Sequence, residues 1–248
     1  MKTKFVILIL ALLGVSLLLS GCATGLIPSS WPGITADAET AYVAAGSQVY
    51  AVRLSNGTEL WRFPAKADNK KSFFAAPVLT PDGQLIVGGY DHILYSLDPA
   101  SGAVKWTFEK AKDRWIGSVL VFNNVIYAPS ADYHLYALDL KGNLIQEFGF
   151  KAKQSLWATP VADGQQVYVT SLDHSVYALN LQTGARIWEK SLDGTILGSP
   201  ALSPDGLLYV GTFGGTLYAL DTASGTIRWQ YSTDKWIWSG PVLGEANL

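Results

Sequence analysis

The side chains of this sequence that could bind a metal ion are three histidines, each close to an aspartate. They occur as Asp91-His92, Asp132-Tyr133-His134 and Asp173-His174, about 41 residues apart. Imidazole and carboxylate groups bind zinc at about 2 Å. Groups that recur with a structural repeat lie on separate units, several ångström too far apart to share one ion. Because histidine and aspartate tolerate the backbone of tight turns, we interpret them as turn residues, and we predict no metal site and no cofactor.

The only cysteine, Cys22, ends a segment that has the pattern of a secretion signal. Lys2 and Lys4 precede an apolar run from Phe5 to Leu19, which as a helix would span about 22 Å. A hydrocarbon core is about 30 Å thick, so a cleaved signal peptide is favoured over a membrane span.

The residues Leu19-Ser20-Gly21-Cys22 resemble a lipobox, the site read by lipoprotein signal peptidase. A lone cysteine cannot form an internal disulfide, whereas two or more acyl chains, such as palmitate, give stable membrane anchoring. We therefore predict a signal peptide at residues 1–21, lipid attachment at Cys22 and a tether at residues 22–30. The alternative is an ordinary signal peptide that happens to contain a cysteine.

Catalytic arrangements are not found in the sequence. Asp98, Asp139 and Asp221 recur with the repeat and are interpreted as turn-stabilising residues. There is no Ser-His-Asp elbow and no glycine-rich phosphate loop. The net charge of −2 gives no basic excess for neutralising phosphates. We expect neither an enzyme nor a nucleic-acid-binding protein.

A repeat of about 41 residues must position all of these side chains. Five copies of a Tyr-centred pattern carry tyrosines spaced by 45, 41, 41 and 41 residues, namely Tyr50, Tyr95, Tyr136, Tyr177 and Tyr218. A second anchor follows the same period at Pro32, Pro77, Ser118 in place of proline, Pro160, Pro200 and Pro241. Each copy reads as four short strands separated by turn residues, which matches one blade of a β-propeller.

A tryptophan follows the turn glycine by four residues in four of the five copies, at Trp61, Trp106, Trp188 and Trp229. We expect these rings to fill the wedge between neighbouring blades. The third copy has Gln146 instead, so we expect its outer edge to be the weakest packed, with Phe148 covering part of the gap.

The segment from Ala219 to Trp229 resembles the tryptophan-docking signature of the pyrroloquinoline-quinone (PQQ)-like propeller family. The resemblance implies an all-β fold, a propeller of four-stranded blades. We place a propeller at residues 31–248, with five complete blades at about 31–72, 73–114, 115–155, 156–195 and 196–235 and a partial sixth at 236–248. Because relatives have seven or eight blades, we expect a truncated ring; a natural five-bladed ring is the alternative.

Aromatic residues three positions before the second anchor should gather at the mouth of the central channel. The candidates for an interaction surface are Phe74, Trp115, Trp157 and Trp238, with Trp236 nearby. Aromatic side chains dominate protein interfaces, although the same rings could simply plug the funnel. Basic residues in these loops are expected to be solvated.

The lipobox, the short tether and the PQQ-like blades together are similar to the propeller lipoproteins of the outer-membrane β-barrel assembly machinery, the BamB family. That resemblance implies a non-catalytic, membrane-anchored scaffold that binds a protein partner. It would lie at the periplasmic face of the outer membrane in a Gram-negative host, and otherwise at the extracytoplasmic face of the cell membrane. The alternatives are a surface sensor or glycan- or peptide-binding lipoprotein and, less favoured, a fragment of a quinoprotein dehydrogenase.

Overall fold

A computed structural model of the protein describes residues 33–244. The predicted signal peptide, Cys22 and the tether lie outside the described residues, as do Pro32 and residues 245–248. Within residues 33–244 there are 20 β-strands and no α-helix, so no helix there could cross a membrane.

The strands form five four-stranded antiparallel sheets, which we call blades 1 to 5. Blade 1 contains β1 (Gly33–Ala36), β2 (Thr40–Ala45), β3 (Gln48–Arg53) and β4 (Glu59–Phe63). Blade 2 contains β5 (Val78–Leu79), β6 (Leu85–Gly88), β7 (Leu94–Leu97) and β8 (Val104–Phe108). Blade 3 contains β9 (Leu120–Phe122), β10 (Val125–Pro129), β11 (His134–Asp139) and β12 (Phe150–Lys151). Blade 4 contains β13 (Val161–Ala162), β14 (Gln166–Thr170), β15 (Ser175–Asn180) and β16 (Arg186–Ser191). Blade 5 contains β17 (Ala201–Leu202), β18 (Leu207–Gly211), β19 (Thr216–Asp221) and β20 (Ile227–Ser232).

Four hydrophobic cores lie between consecutive blades, one at each interface. The middle strands of a blade pack on both of their faces, so the residues of β6 are buried throughout. Small residues occupy the centre of each third strand, where they are almost completely buried: Ala51, Ser96, Ala137, Ala178 and Ala219. The five complete propeller blades predicted from the repeat are confirmed.

Tryptophans close three of the interfaces at their outer edge, as predicted. The indole Nε1 of Trp61 donates a hydrogen bond of 2.8 Å to the carbonyl oxygen of Pro99 in the next blade, and Trp188 does the same to Thr222. Trp106 donates to Leu140 over 3.1 Å. Each ring also lies against a glycine of the next blade; a Cβ on Gly102 would lie 2.6 Å from the ring of Trp61. These glycines have positive φ and end the turn before the fourth strand.

The strand pairing corrects the second sequence anchor in blade 3. Val78 pairs with Ile86, and the equivalent pair in blade 3 is Leu120 with Tyr127, because Ile86 and Tyr127 in turn pair with Ser96 and Ala137. Val119 therefore occupies the place of Pro77, and Ser118 lies one position earlier. The linker before β9 is one residue longer, and this shifts the first strand of the repeat by one position. Counting along the sequence in fixed steps cannot detect such a shift.

Blade 3 also has the shortest outer strand, since β12 contains only two residues. A single bridge joins Leu138 to Leu144, and the chain then turns at residues 146–147 before it pairs again. Leu135 pairs with Phe150 as Leu94 pairs with Phe108, so Phe148 stands in the register position of Trp106. The prediction that Phe148 covers part of the gap agrees with this register.

Candidate interaction surface

In blades 2 to 5 the loop that leads into the blade is hydrogen-bonded to the middle hairpin of the same blade. Backbone N–H groups of the hairpins donate to loop carbonyls, from Tyr90 to Ser72 over 2.8 Å and from Leu172 to Ser155 over 3.0 Å. The same bond joins Phe213 to Thr195 over 2.8 Å. Loops and hairpins therefore form one face of the propeller, which we call the hairpin face.

An aspartate at the hairpin tip accepts a hydrogen bond from a tyrosine in blades 2, 3 and 4; Tyr95 and Tyr177 are buried and Tyr136 is partly buried. The distances from hydroxyl to carboxylate are 2.6 Å for Tyr95 and Asp91, 2.8 Å for Tyr136 and Asp132, and 2.7 Å for Tyr177 and Asp173. Burial, together with the bond to Asp91, raises the pKa of Tyr95 to about 12. These aspartates therefore hold the hairpins in place and are not free carboxylates.

Asp132 and Asp173 also fix the loops, by accepting from the backbone N–H groups of Lys112 and Lys153 over 2.8 and 3.0 Å. Burial disfavours ionisation of Asp132, but the hydrogen bonds from Lys112 and Tyr136 outweigh it and lower the pKa of the carboxyl group. A charged acceptor is the stronger one, so the ionised carboxylate is the form that ties the loop to the hairpin.

Blade 2 uses a side chain for the same connection. The ammonium group of Lys71 lies 2.8 Å from the carboxylate of Asp91 and also contacts the hydroxyl of Tyr95. Burial disfavours the charged amine, yet the bonds to these two groups raise its pKa. The expectation that the basic loop residues are merely solvated is wrong for Lys71, because this amine is paired and largely covered.

Two of the three histidines occupy turns, whereas His134 is the first residue of β11. His92 and His174 have φ values of 70°, and Tyr133 and Gly215 hold the equivalent position with φ of 81° and 84°. The positive φ values fit the turn interpretation. Among residues 33–244, no three His, Cys, Asp or Glu side chains lie close enough to hold a metal ion.

Phe74 and Tyr90 form one aromatic contact on the hairpin face. Their ring centroids are 4.7 Å apart in an edge-to-face arrangement, and the guanidinium carbon of Arg114 lies 5.3 Å from the centroid of Tyr90. An arginine over an aromatic ring is a favourable cation–π geometry. Tyr90 was not among the residues predicted from the sequence.

A larger aromatic group lies beside blade 5. Phe213 stacks on Trp236 with centroids 5.6 Å apart and planes at 10°, and its centroid is 4.5 Å from that of Trp238. Trp236 is 64% exposed and Trp238 is 54% exposed. Together with Asp234 and Lys235 they border a cavity of about 510 Å³. We call Phe213, Trp236 and Trp238 the aromatic cluster.

The other two predicted surface residues behave differently from each other. Trp157 is half-buried at a loop position equivalent to that of Phe74. Trp115 is completely buried and packs in an aromatic group with Phe108 and Tyr136, at centroid distances of 6.3 and 5.7 Å. The one-residue shift of blade 3 explains the difference, since Trp115 aligns with the buried Phe73 and Leu156. Trp115 therefore belongs to the core between blades 2 and 3.

Tyr90 and Phe213 are the residues of this surface that sequence reasoning missed. They share one hairpin position with Ala131 and Leu172, directly before the turn. Aligning the hairpins across the five copies reveals this position, whereas counting back from the proline anchor does not.

Comparison with known proteins gives a family and a fold. The family model described as outer membrane protein assembly factor BamB matches residues 45–169 and 172–247, which is most of the chain. No curated protein matches significantly in sequence. Among solved structures, BamB from Moraxella catarrhalis is similar with a TM-score of 0.65 and 20% identity, over 80% of this chain and 60% of that one. The computationally designed Ika8 protein is similar with a TM-score of 0.72 and 13% identity, over 84% of this chain and 63% of that one. The chain thus spans less than two thirds of the length of either structure.

Proposed function

This chain belongs to the family of the outer membrane protein assembly factor BamB, and from that membership we propose that it is a membrane-anchored, non-catalytic scaffold of the bacterial cell envelope. Its task would be to bind protein partners of outer-membrane protein assembly. The match of the family model over both halves of the propeller is the observation that carries this proposal.

The proposed anchor is a lipid on Cys22. The tether at residues 22–30 would hold the propeller close to the bilayer, because the eight residues after Cys22 reach about 28 Å at most when extended. Ala23 follows the proposed lipidated cysteine without an acidic residue that would suggest retention in the inner membrane. In a Gram-negative host the propeller would therefore lie at the periplasmic face of the outer membrane.

The proposed partner-binding surface is the hairpin face, with Phe74, Trp157 and the aromatic cluster. Large exposed aromatic rings beside polar groups are typical of the anchoring residues of protein interfaces. The hydrogen bonds between loops and hairpins support this choice, because a backbone fixed in advance loses less conformational entropy on binding.

Co-purification tests the scaffold. The full chain carries a C-terminal tag in a Gram-negative host, and mild detergent extracts are examined for barrel-assembly subunits. We expect these subunits to be retained by the unchanged protein and reduced at least fivefold for the double variant Trp236→Ala/Trp238→Ala. The matched control is Tyr231→Ala, which removes an exposed aromatic residue from β20. Loss of the subunits from both variants alike, or their absence from the unchanged protein, would argue against the assignment.

Metabolic labelling with an alkyne palmitate analogue tests the anchor. We expect label on the unchanged chain and none on Cys22→Ala. A surface lipoprotein that binds glycans or peptides would be labelled equally but would retain no assembly subunits. A quinoprotein fragment would instead change its absorbance spectrum when quinone and calcium are added.

A further inference from the structure

Three of the four blade interfaces are closed at the outer rim by the same slot. An indole from one blade lies on the positive-φ glycine of the next blade and donates to a carbonyl oxygen of the turn there. Trp61, Trp106 and Trp188 fill these slots. The repeat therefore shows three times, within one molecule, which chemical group fits at this position.

The interface between blades 3 and 4 has the slot but lacks the indole. Phe148 stands at the register position of the tryptophan, and its ring is 5.6 Å from Tyr127, as the ring of Trp188 is 5.9 Å from Tyr168. A phenyl ring has no N–H donor, and the turn carbonyl of Leu181 accepts from the hydroxyl of Tyr127 over 2.9 Å instead. The slot glycine, Gly184, faces the backbone of Gly149 rather than a ring.

A cleft of about 400 Å³ opens beside Phe148 as a result. We call it the rim cleft. Its apolar wall includes Tyr127, Ile145, Phe148 and Leu181, and Glu147 and Gln182 line its polar side. The volume falls within the range of about 300–1,000 Å³ that is usual for ligand sites. Tyr127, Phe148 and Leu181 are at least nine-tenths buried, so the wall is fixed by the core beneath it.

We propose that the rim cleft binds a tryptophan side chain supplied by a partner polypeptide. Gly149 covers the slot glycine, so the ring would lie beside Phe148. There it would contact Tyr127 and Ala137, which correspond to Tyr168 and Ala178 beside the indole of Trp188. Candidate acceptors for the indole N–H come from two residues that line the cleft, namely the second lone pair of the Leu181 carbonyl and the carboxylate of Glu147. This site lies on the outer rim, apart from the hairpin face, and does not depend on the proposed envelope role.

Methyl chemical shifts measured by NMR test the cleft directly. The full chain, labelled at isoleucine and leucine methyl groups, is titrated with N-acetyl-tryptophanamide and, separately, with N-acetyl-leucinamide. We expect saturable shifts at Ile145 and Leu181 with the tryptophan probe and an affinity at least fivefold weaker for the leucine probe. Equal affinity for the two probes, or no saturable shift at these methyl groups, would overturn the proposal.

Two variants that fill the cleft show whether the probe binds there. Phe148→Trp places an indole in the register position of Trp106, and Ile145→Trp fills the space from the cleft wall. We expect either change to weaken binding of the tryptophan probe at least tenfold, and Phe148→Trp also to raise the melting temperature. If Phe148→Trp does not fold, Ile145→Trp still decides the question.

Gln146→Trp is the matched control, because it adds the same indole at the position next to Ile145. Gln146 borders a different depression, beside Glu109 and Asn143, so this variant should bind the probe like the unchanged chain. Binding that survives in both cleft-filling variants, or that is lost equally in the control, would show that the probe does not occupy the rim cleft.

Discussion

Blades 4 and 5 carry the same tryptophan on their outer strands, yet the two rings have different surroundings. Trp188 is 9% exposed, and its indole is bonded to Thr222 and packed on Gly225. Trp229 is 43% exposed. Within their own blades the two rings are placed alike, with Trp188 5.9 Å from Tyr168 and Trp229 5.6 Å from Tyr209.

The comparison separates two causes. The position of the ring within its blade follows from local strand pairing and from the tyrosine partner, both encoded in the same repeat. The following blade buries the ring, which packs on one of its glycines and donates a hydrogen bond to one of its carbonyl oxygens. The same contrast extends to the strands, since β20 is exposed along its whole length while β16 is partly buried.

The largest expected effect is the loss of the docked indole. Trp188→Ala should lower the free energy of unfolding by about 3–5 kcal/mol, the usual cost of truncating a buried large aromatic residue. Trp229→Ala should cost less than about 1 kcal/mol, because much of that ring is already in water. Urea denaturation followed by circular dichroism measures both free energies of unfolding. Equal losses for the two variants would show that docking on the following blade adds no stability.

The receiving glycine should give the next largest effect. Gly225→Ala would put a Cβ 2.7 Å from the ring of Trp188, in addition to the backbone strain of a φ of 70°. We expect about 2–4 kcal/mol of destabilisation from strain and overpacking together. Gly57→Ala has a similar φ of 71° but no atom within 4 Å, so only the strain of about 1–2 kcal/mol should appear. If the melting temperature falls no further for Gly225→Ala than for Gly57→Ala, the ring of Trp188 moves aside at little energetic cost.

The smallest expected effect is a dependence of stability on alkaline pH that originates in the hairpins. The pKa of Tyr95 is raised to about 12 in the folded protein from an ordinary value of 10.0. Its contribution is therefore fully present below pH 10 and is lost as the pH rises through about 12. Blade 5 has Gly214 where blade 2 has Asp91, so this arrangement is absent from its hairpin. Urea midpoints at pH 9 and pH 11 should differ less for Tyr95→Phe than for the unchanged protein, and an equal difference in the two proteins would contradict this prediction.

The sequence predicts the blades well because two physical signals agree in every copy. Strand alternation and turn glycines fix the four strands, and the recurring tryptophan after the glycine predicts the closed interfaces, as Trp61 and Trp188 show. Turn geometry also explains His92 and His174, whose spacing alone could suggest a metal site.

The surface was harder to predict because it depends on registers that a period does not encode. One additional residue in a linker moves Trp115 from an exposed loop position into the core. Phe148 replaces the missing tryptophan only because the chain turns at residues 146–147 before it pairs again. Whether a ring such as Trp229 is covered depends on the neighbouring blade, which no pattern within its own copy can report.

The arrangement of the four cores in series has a consequence for local opening. Each core joins only two consecutive blades, so the cost of exposing a strand depends on its nearest neighbours, as it does in linear repeat proteins. Opening free energies should therefore rise from β20 towards the middle strands of the interior blades, with amide exchange slowing in the same order.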